Sequence, residues 1–502
     1  MVLPRRVAFP RMTTLTNLLE IVPLDKPVRA EITVPGSKSI TNRALILGAL
    51  AEGQTTLRGA LWSEDTQMMV EALRTLGFEV KLEQDAQEFC NRTITVSGLG
   101  GNIPNAGTEE KPLNLFVGNA GTAARFLAAF VCLGRGVYRL HGVPRMHERP
   151  QAELFAALQQ LGYEVRAENG NGRLPARIIG AGPPLGIQPR FDLGIGKFTG
   201  QGARNCSVSI EKSSQFASAL LLCARAGGWN VAVEGENAEE SAYVRMTVEI
   251  IKTFPRAGGS FQIEPDASSG SYFVAAGRLV EHMEYLEYSE QFGVPVSTQL
   301  VKPVSVRGWP HSGWQADENF PEVLSPIGAL GMGLQLADAA KRDKSFTADS
   351  LPYIKNLPIS RIRSLGDSIM TAIVLAPFSL DAIQFTDLGR LRVQECERVA
   401  ALRTELTRCG ARVLEEGDTL TVYPSALHGA EIETYNDHRM AMCFAVLGLK
   451  IPGVKIRNPA CVKKTFPNFF QKLATPPPDG LGARILDGRT GRQLTLDELF
   501  AE

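Results

Sequence analysis

Several stretches of this chain set cations beside hydroxyls and small residues, which is the combination an anion requires. VPGSKSITNRALIL (34–47) runs from a strand through Pro35-Gly36 to Ser37, Lys38 and Ser39, then into a helix carrying Arg43. Backbone N–H groups at a helix start, hydroxyls and two cations make an anion-binding corner. The GxxxxGK[ST] spacing is absent, so this is not a Walker loop. Taken alone, the stretch reads equally well as a capped helix with a solvated lysine. In LFVGNAGTAARFLAAF (115–130), Gly118, Gly121 and the small Ala120, Thr122 and Ala123 let a ligand approach the backbone. Arg125 lies in an otherwise apolar helix, either paired structurally or aimed at an anion. GVPRMHERPQAEL (142–154) brackets a turn with Arg145 and Arg149.

The C-terminal half adds RVQECERVAAL (392–402), YNDHRMAM (435–442) and VKKTFPNFF (462–470). Glu395 and Arg398 are three apart and share a helix face. Asp437, His438 and Arg439 follow a turn and precede an apolar helix. On residue types alone, Asp367 in GDSIMTA (366–372) would satisfy backbone amides at a helix start, and Glu395–Arg398 would be a surface pair worth little.

The elements that must position these residues repeat. MMVEALRTLGFEV (68–80), ELFAALQQLGYEV (153–165) and VAALRTELTRCGARV (399–413) each carry apolar residues at i, i+3, i+4 and i+7. Gly77, Gly162 and Gly410 stand where a left-handed cap ends the helix, and a β-rich run follows at once. Weaker copies are 243–261 and 320–336. Spaced copies of one α/β unit imply a repeat-built α/β architecture. Residues 281–318 have little period and read as an insertion or long loop. The tail from Thr475 opens on a proline run with linker composition, and its end, LTLDELFAE, reads as a short docking helix.

A chain of 502 residues is too long for one ordinary core. Its 44% hydrophobic and 21% charged residues are those of a globular protein. Lys plus Arg and Asp plus Glu are 53 each, which removes the bulk electrostatic argument for nucleic acid or an anionic membrane as partner. The eight cysteines form no CxxC pair and the six histidines no HxxxH cluster, so neither a zinc site nor a disulfide framework is expected. No apolar run is long enough to span a bilayer. A cytoplasmic location is expected; the basic Met1–Asn17 stretch, with Arg5, Arg6 and Arg11, leaves an organelle-targeting leader as the alternative.

Together with SSQFASALLL (213–222) and PDASSGSYF (265–273), these motifs, in this order from about Leu18 to Ala474, resemble the enolpyruvyl transferase family, and most closely its 5-enolpyruvylshikimate-3-phosphate synthase branch. The resemblance implies a two-domain inside-out α/β barrel of three βαβαββ repeats per domain, with the active site in the interdomain cleft. Residues 1–35 with 266–474 would form one discontinuous domain, 36–265 the other, and 475–502 an extension. The crossings fall near Pro35-Gly36 and Pro265-Asp266. The implied reaction moves the carboxyvinyl group of phosphoenolpyruvate to a hydroxyl of shikimate 3-phosphate, with no metal or organic cofactor, and a monomer is expected. By resemblance Lys38, Asn119, Gly121, Arg145, Gln215, Arg398, Arg439 and Lys464 bind phosphoenolpyruvate. Asp367 is the base for the acceptor hydroxyl, and Glu395 or a lysine, Lys38 or Lys464, serves C3 of the donor.

Ser39, Arg43, Ser213, Ser214, Gln215, Tyr243, Asp367, Arg390 and Gln394 face the acceptor by the same resemblance, and here the pattern breaks. The family places lysine where Gln394 stands and usually asparagine where Arg390 stands. Glu240 occupies a usual serine position, with Ser241 one residue away. Losing a charge-assisted contact costs about 1.5–3 kcal/mol, which Arg390 could restore from the neighbouring turn. The alternatives are a related transferase using another phosphorylated acceptor, such as a UMP-type nucleotide, and a relative that binds ligands without turnover.

Overall fold

The computed structural model describes residues 15–501 apart from 27, 183–189, 193–196, 200–202, 236–237, 293–303, 328–357 and 380. The three clear helix–Gly–strand segments form as their periodicity predicts. Helices Glu64–Thr75, Ala152–Gln160 and Arg398–Arg408 precede strands Val80–Gln84, Glu164–Ala167 and Val413–Glu416. Gly77, Gly162 and Gly410 between them hold φ of 95°, 83° and 92°, a region a Cβ would strain. Of the weaker copies, helix Ala238–Thr253 leads to strand Gly259–Gln262; the copy at 320–336 opens with helix Phe320–Ile327, and its remainder lies outside the described residues.

Four four-stranded sheets share one topology: a parallel pair, then two antiparallel steps. One orders Gly259–Gln262, Gln54–Leu61, Asn91–Ser97 and Val80–Gln84. A second orders Leu113–Phe116, Arg135–His141, Ala176–Ala181 and Glu164–Ala167. The third orders Ile359–Ser360, Ile383–Thr386, Thr419–Val422 and Val413–Glu416. The fourth orders Glu431–Ile432, Val454–Arg457, Leu18–Ile21 and Ile485–Asp487.

Three of the helices between these strands are enclosed. All ten residues of Gly121–Phe130 and all seven of Ile369–Leu375 are buried, as are ten of the eleven in His438–Gly448. A helix buried on every face is surrounded by protein, so these three lie inside, while Glu64–Thr75 and Ala152–Gln160 keep exposed residues. Two separate hydrophobic clusters result. One gathers residues between Ile40 and Ile263, and the other joins Leu15–Val34 to residues from Tyr272 to Ala501.

The chain passes between the clusters at two strands that touch. Gly36 and Pro265 form an antiparallel bridge, flanked by Ser37 N–H donating to Glu264 O at 2.8 Å and Asp266 N–H to Pro35 O at 2.9 Å. Only glycine fits at 36, because a Cβ there would collide with the carbonyl oxygen of Gly59.

Two sequence expectations change. Residues 281–318 are not a structureless insertion: helix Ala267–Phe292 occupies the start, and Val304–Val306 pairs in parallel with Ala30–Ile32. The tail is not a linker either. Leu481, Ala483 and Ile485 are buried in the second cluster, Ile485–Asp487 completes the fourth sheet, and Leu496–Leu499 forms a 3-10 turn rather than an α-helix. Burial of three apolar side chains outweighs the local polarity of the segment. Of the Met1–Asn17 stretch, residues 1–14 fall outside the described residues, while Leu15 is buried and Thr16 hydrogen-bonds Asp487 at 3.0 Å. No helix among the described residues is long and apolar enough to cross a membrane.

Candidate active site

Helix N-termini from both clusters converge on one cleft. It is lined by Ser37, Lys38 and Ser39 at the start of Lys38–Leu50, Thr122 at the start of Gly121–Phe130, and Ser213–Gln215 at the start of Ser214–Gly227. From the other cluster come Asp266, Ser268 and Ser269 at the start of Ala267–Phe292, Asp367 ahead of Ile369–Leu375, and Arg439 at the start of His438–Gly448. The positive ends of helix dipoles therefore point inward, which favours anions.

Among the first group, Arg43 is buried and meets only neutral oxygens among its hydrogen-bond partners. Its Nε donates to Thr247 Oγ1 at 2.8 Å, Nη2 to Ser218 Oγ at 3.0 Å and Nη1 to Ser39 O at 2.9 Å. Burial lowers this guanidinium to about 10. Lys38 Nζ pairs with Asp65 at 3.1 Å. Gln215 accepts from Arg125 Nη1 at 3.0 Å and donates to Thr122 Oγ1 at 3.2 Å, so Arg125 holds Gln215 from behind. Arg149, lowered by burial, donates to Asn119 O at 3.2 Å. A Cβ at Gly121 would strike Arg125 Nη1 and lie 2.7 Å from Arg149 Nη2, so this glycine, which does not itself line the cleft, makes room for the cations.

Facing them is a shared ion-pair lattice. Asp367 takes Arg361 Nη2 at 2.8 Å, Arg439 Nε at 3.1 Å and Arg398 Nη1 at 3.5 Å. Desolvation pushes its carboxyl up, but Arg439, Arg398 and Arg361 outweigh that and hold it far below the usual range. Glu395 takes Lys464 Nζ at 2.9 Å and Arg398 Nη2 at 2.9 Å, and is likewise kept ionised against desolvation by Lys464 and Arg398. Arg398 also meets Asp437 at 2.7 Å. Its three carboxylates overcome desolvation and raise it further. With Arg398 1% and Glu395 11% exposed, the pair is no surface pair, and the two do not share a helix face either: Glu395 lies in the bend before helix Arg398–Arg408, and the turn there brings it back onto Arg398.

Asp437 caps its helix by accepting Arg439 N–H at 2.8 Å. His438 beside it is buried, with neither ring nitrogen hydrogen-bonded among the described residues. Burial, Arg439 and Lys38 drive it well below the usual histidine range, so it is neutral.

Most of the sequence candidates meet here: Lys38, Ser39, Arg43, Ser213, Ser214, Gln215, Tyr243, Asp367, Arg390, Gln394, Glu395 and Arg439 line the cleft, with Arg398 and Lys464 bonded to its carboxylates. Arg145 does not line it. It stands at the rim, 42% exposed, paired with Glu148 at 2.6 Å and donating to Gln394 O at 3.2 Å. Arg149 faces the cleft instead, because the short helix Pro144–Glu148 ends there and the backbone turns extended. Gln394 turns its amide oxygen to Arg398. The side chains of Glu240 and Ser241 lie outside the described residues. Sequence reading missed Arg361, His438 and Asp317. Only His438 had a signal, its place between Asp437 and Arg439.

The family model for EPSP synthase (3-phosphoshikimate 1-carboxyvinyltransferase) matches residues 23–284 and 295–473. A protein of Trichormus variabilis named 3-phosphoshikimate 1-carboxyvinyltransferase is 34% identical over 491 residues, covering 91% of this chain and 98% of its own. One of Opitutus terrae with the same name is 35% identical over 490 residues, covering 92% and 98%. Among solved structures, EPSP synthase from Acinetobacter baumannii superposes with a TM-score of 0.58 at 18% identity, covering 94% of this chain and all of that one. The enolpyruvyl transferase NikO from Streptomyces tendae gives 0.54 at 16% identity, covering 94% and 98%. These last two speak for the fold alone. The chain belongs to the EPSP synthase (3-phosphoshikimate 1-carboxyvinyltransferase) family.

Proposed function

We propose that this cleft holds phosphoenolpyruvate and shikimate 3-phosphate together, moves the carboxyvinyl group to the acceptor hydroxyl and releases phosphate. The observation that carries the reading is the clamp on Asp367, a single half-buried carboxylate shared by Arg361, Arg398 and Arg439. The lining has six cations, Lys38, Arg43, Arg149, Arg361, Arg390 and Arg439, against four carboxylates, Asp266, Asp317, Asp367 and Glu395. A partly dry site with that excess favours polyanionic ligands. On the donor side stand Lys38, the Asn119–Gly121 backbone, Gln215, Arg398, Arg439 and Lys464, with Arg149 inside and Arg145 at the rim. On the acceptor side stand Ser39, Arg43, Ser213, Ser214, Gln215, Tyr243, Arg390 and Gln394.

In the addition step the acceptor oxygen bonds to C2 of phosphoenolpyruvate while C3 takes a proton, giving a tetrahedral ketal phosphate. In the elimination the C2–O bond to phosphate breaks, phosphate leaves with the electron pair, and C3 gives its proton back. Asp367 takes the hydroxyl proton. With three guanidiniums on it, this carboxylate is a weak base. Ligand oxygens that claim those N–H donors leave Asp367 with its desolvation, which raises its basicity. Binding the substrates thereby prepares the base. At C3, Lys464 supplies the proton and Glu395, 2.9 Å from it, holds the ammonium in place.

The charge missing at Gln394 is supplied on the acceptor side by Arg361 and Arg390, which supports a phosphorylated acceptor. The test compares phosphate release from phosphoenolpyruvate with shikimate 3-phosphate, UMP and nucleotide sugars. Release with a nucleotide and none with shikimate 3-phosphate would replace the first acceptor by the second.

The same reading takes the chain as two domains, 1–35 with 266–474 and 36–265, each of three βαβαββ repeats forming an inside-out barrel, with 475–502 as an extension. The two hydrophobic clusters and the four sheets of one topology support it. A cytoplasmic monomer belongs to the same proposal.

A further inference from the structure

Asp367 owes its position to another carboxylate. Asp317, 4% exposed, sits on the 3-10 turn Ala316–Asn319, at the end of the 281–318 segment whose role the sequence left open. Its Oδ1 accepts Gly366 N–H at 2.6 Å, Ser368 N–H at 3.1 Å and Ser368 O–H at 2.5 Å, and its Oδ2 accepts the hydroxyl of Ser268. The residues before and after Asp367 are thus tied to one oxygen. No cation lies within ion-pair distance of Asp317 among the described residues, so the tie takes no arginine from the ligands. Beside it, Gln315 accepts Ala267 N–H at 3.0 Å and donates to Pro265 O at 2.8 Å, which anchors the turn to the crossing between the two clusters.

We propose that Asp317 is a positioning residue that fixes the Gly366–Asp367–Ser368 turn, so that the Asp367 carboxylate meets the acceptor hydroxyl. The inference rests on Asp367 being the base. Without Asp317, two buried N–H groups lose their acceptor, and the turn is free to follow the pull of Arg361, Arg398 and Arg439. A displacement of about 1 Å at a reacting group costs about 100-fold in rate. Of the donor cations, Arg398 also has Asp437 and Lys464 has Glu395, while Arg439, which pairs with Asp367, keeps its bond to Tyr272 Oη at 3.4 Å.

An asparagine separates position from charge. With its amide oxygen in the place of Oδ1, Asp317→Asn keeps the three bonds to Gly366 and Ser368, and its amide group can donate to Ser268. Steady-state phosphate release with phosphoenolpyruvate and shikimate 3-phosphate is measured for Asp317→Ala, Asp317→Asn, Ser368→Ala and Asp367→Ala. We expect kcat to fall about 100-fold in Asp317→Ala with the KM for phosphoenolpyruvate within about twofold, and Asp317→Asn to stay within about fivefold of the parent. Asp317→Asn as impaired as Asp317→Ala, unchanged kcat in Asp317→Ala, or a loss confined to KM would each overturn the positioning role. If Asp317→Ala does not fold, Ser368→Ala decides: about a fivefold lower kcat at constant KM supports the inference and an unchanged kcat overturns it. Full turnover in Asp367→Ala removes the base itself. Asp367→Ala inactive beside a fully active Asp317→Ala defeats only the positioning step.

Discussion

Replacing Arg361 by alanine probes the residue that sequence reading did not find. Arg361 is buried and gives Asp367 its shortest ion pair, 2.8 Å. The carboxylate left behind keeps Arg439 at 3.1 Å and Arg398 at 3.5 Å, so it stays ionised and the variant leaves no unpaired buried charge. Removing a desolvated cation also removes its own burial penalty, so the fold should persist. On the proposed reading, what is lost is one charge-assisted contact to the acceptor phosphate, worth about 1.5–3 kcal/mol. At 1.4 kcal/mol per decade that is roughly a 10- to 150-fold rise in the acceptor KM. The KM for phosphoenolpyruvate should change less than about threefold, because Arg398, Arg439 and Lys464 keep their partners. Arg361→Lys should recover only part of the loss, since an ammonium lacks the guanidinium fork. The assay is phosphate release with one substrate saturating and the other varied. An unchanged acceptor KM, or equal rises in both KM values, would refute the assignment of Arg361 to the acceptor.

Other outcomes follow from the same structure. Glu88 is buried and accepts from Lys472 Nζ at 2.8 Å, Asn468 at 2.7 Å, Thr33 at 2.9 Å and Cys90 N–H at 3.2 Å, so Glu88→Ala should cost about 3–5 kcal/mol by calorimetry, with Glu88→Gln milder. Ending the chain after Ala474 removes the strand paired with Leu19–Ile21 and the buried Leu481, Ile485 and Leu499, at about 1.5–3 kcal/mol per side chain, and should lower the denaturant midpoint sharply. Asp367 and Glu395 have carboxyls held below the unfolded range, so their stabilisation is full above about pH 5 and lost as pH falls through their folded values. His438 has a depressed folded value, so protonation in the unfolded chain costs stability as pH falls below about 6.5. Urea melts between pH 8 and 4 should show decline beginning at the histidine step, and His438→Gln should remove that first step alone.

Much of this was legible because it is local. The helix–Gly–strand units at 68–80, 153–165 and 399–413 follow from a 3.6 period and a left-handed cap, both readable within fifteen residues. Residues 281–318 and the tail misled because their apolar residues follow no clear helix or strand period. Leu481, Ala483 and Ile485 become core only when Leu18–Ile21, from the opposite end of the chain, lies beside them.

The sequence by itself determined the composition of the site: its cations, its hydroxyls, the glycines that admit them and the helix starts that carry them. Tertiary structure decided how those charges are shared. Arg145 and Arg149 are four residues apart in one motif, and only the end of the helix at Glu148 sends Arg149 inward and leaves Arg145 at the rim. Asp367 draws on Arg361, Arg398 and Arg439, while Asp317, fifty residues upstream of Asp367, anchors the turn on which it sits. Local periodicity reports which face of a helix is buried. It carries no information about which carboxylate a buried arginine meets, because that depends on packed elements far apart in the chain and on the low dielectric they create together.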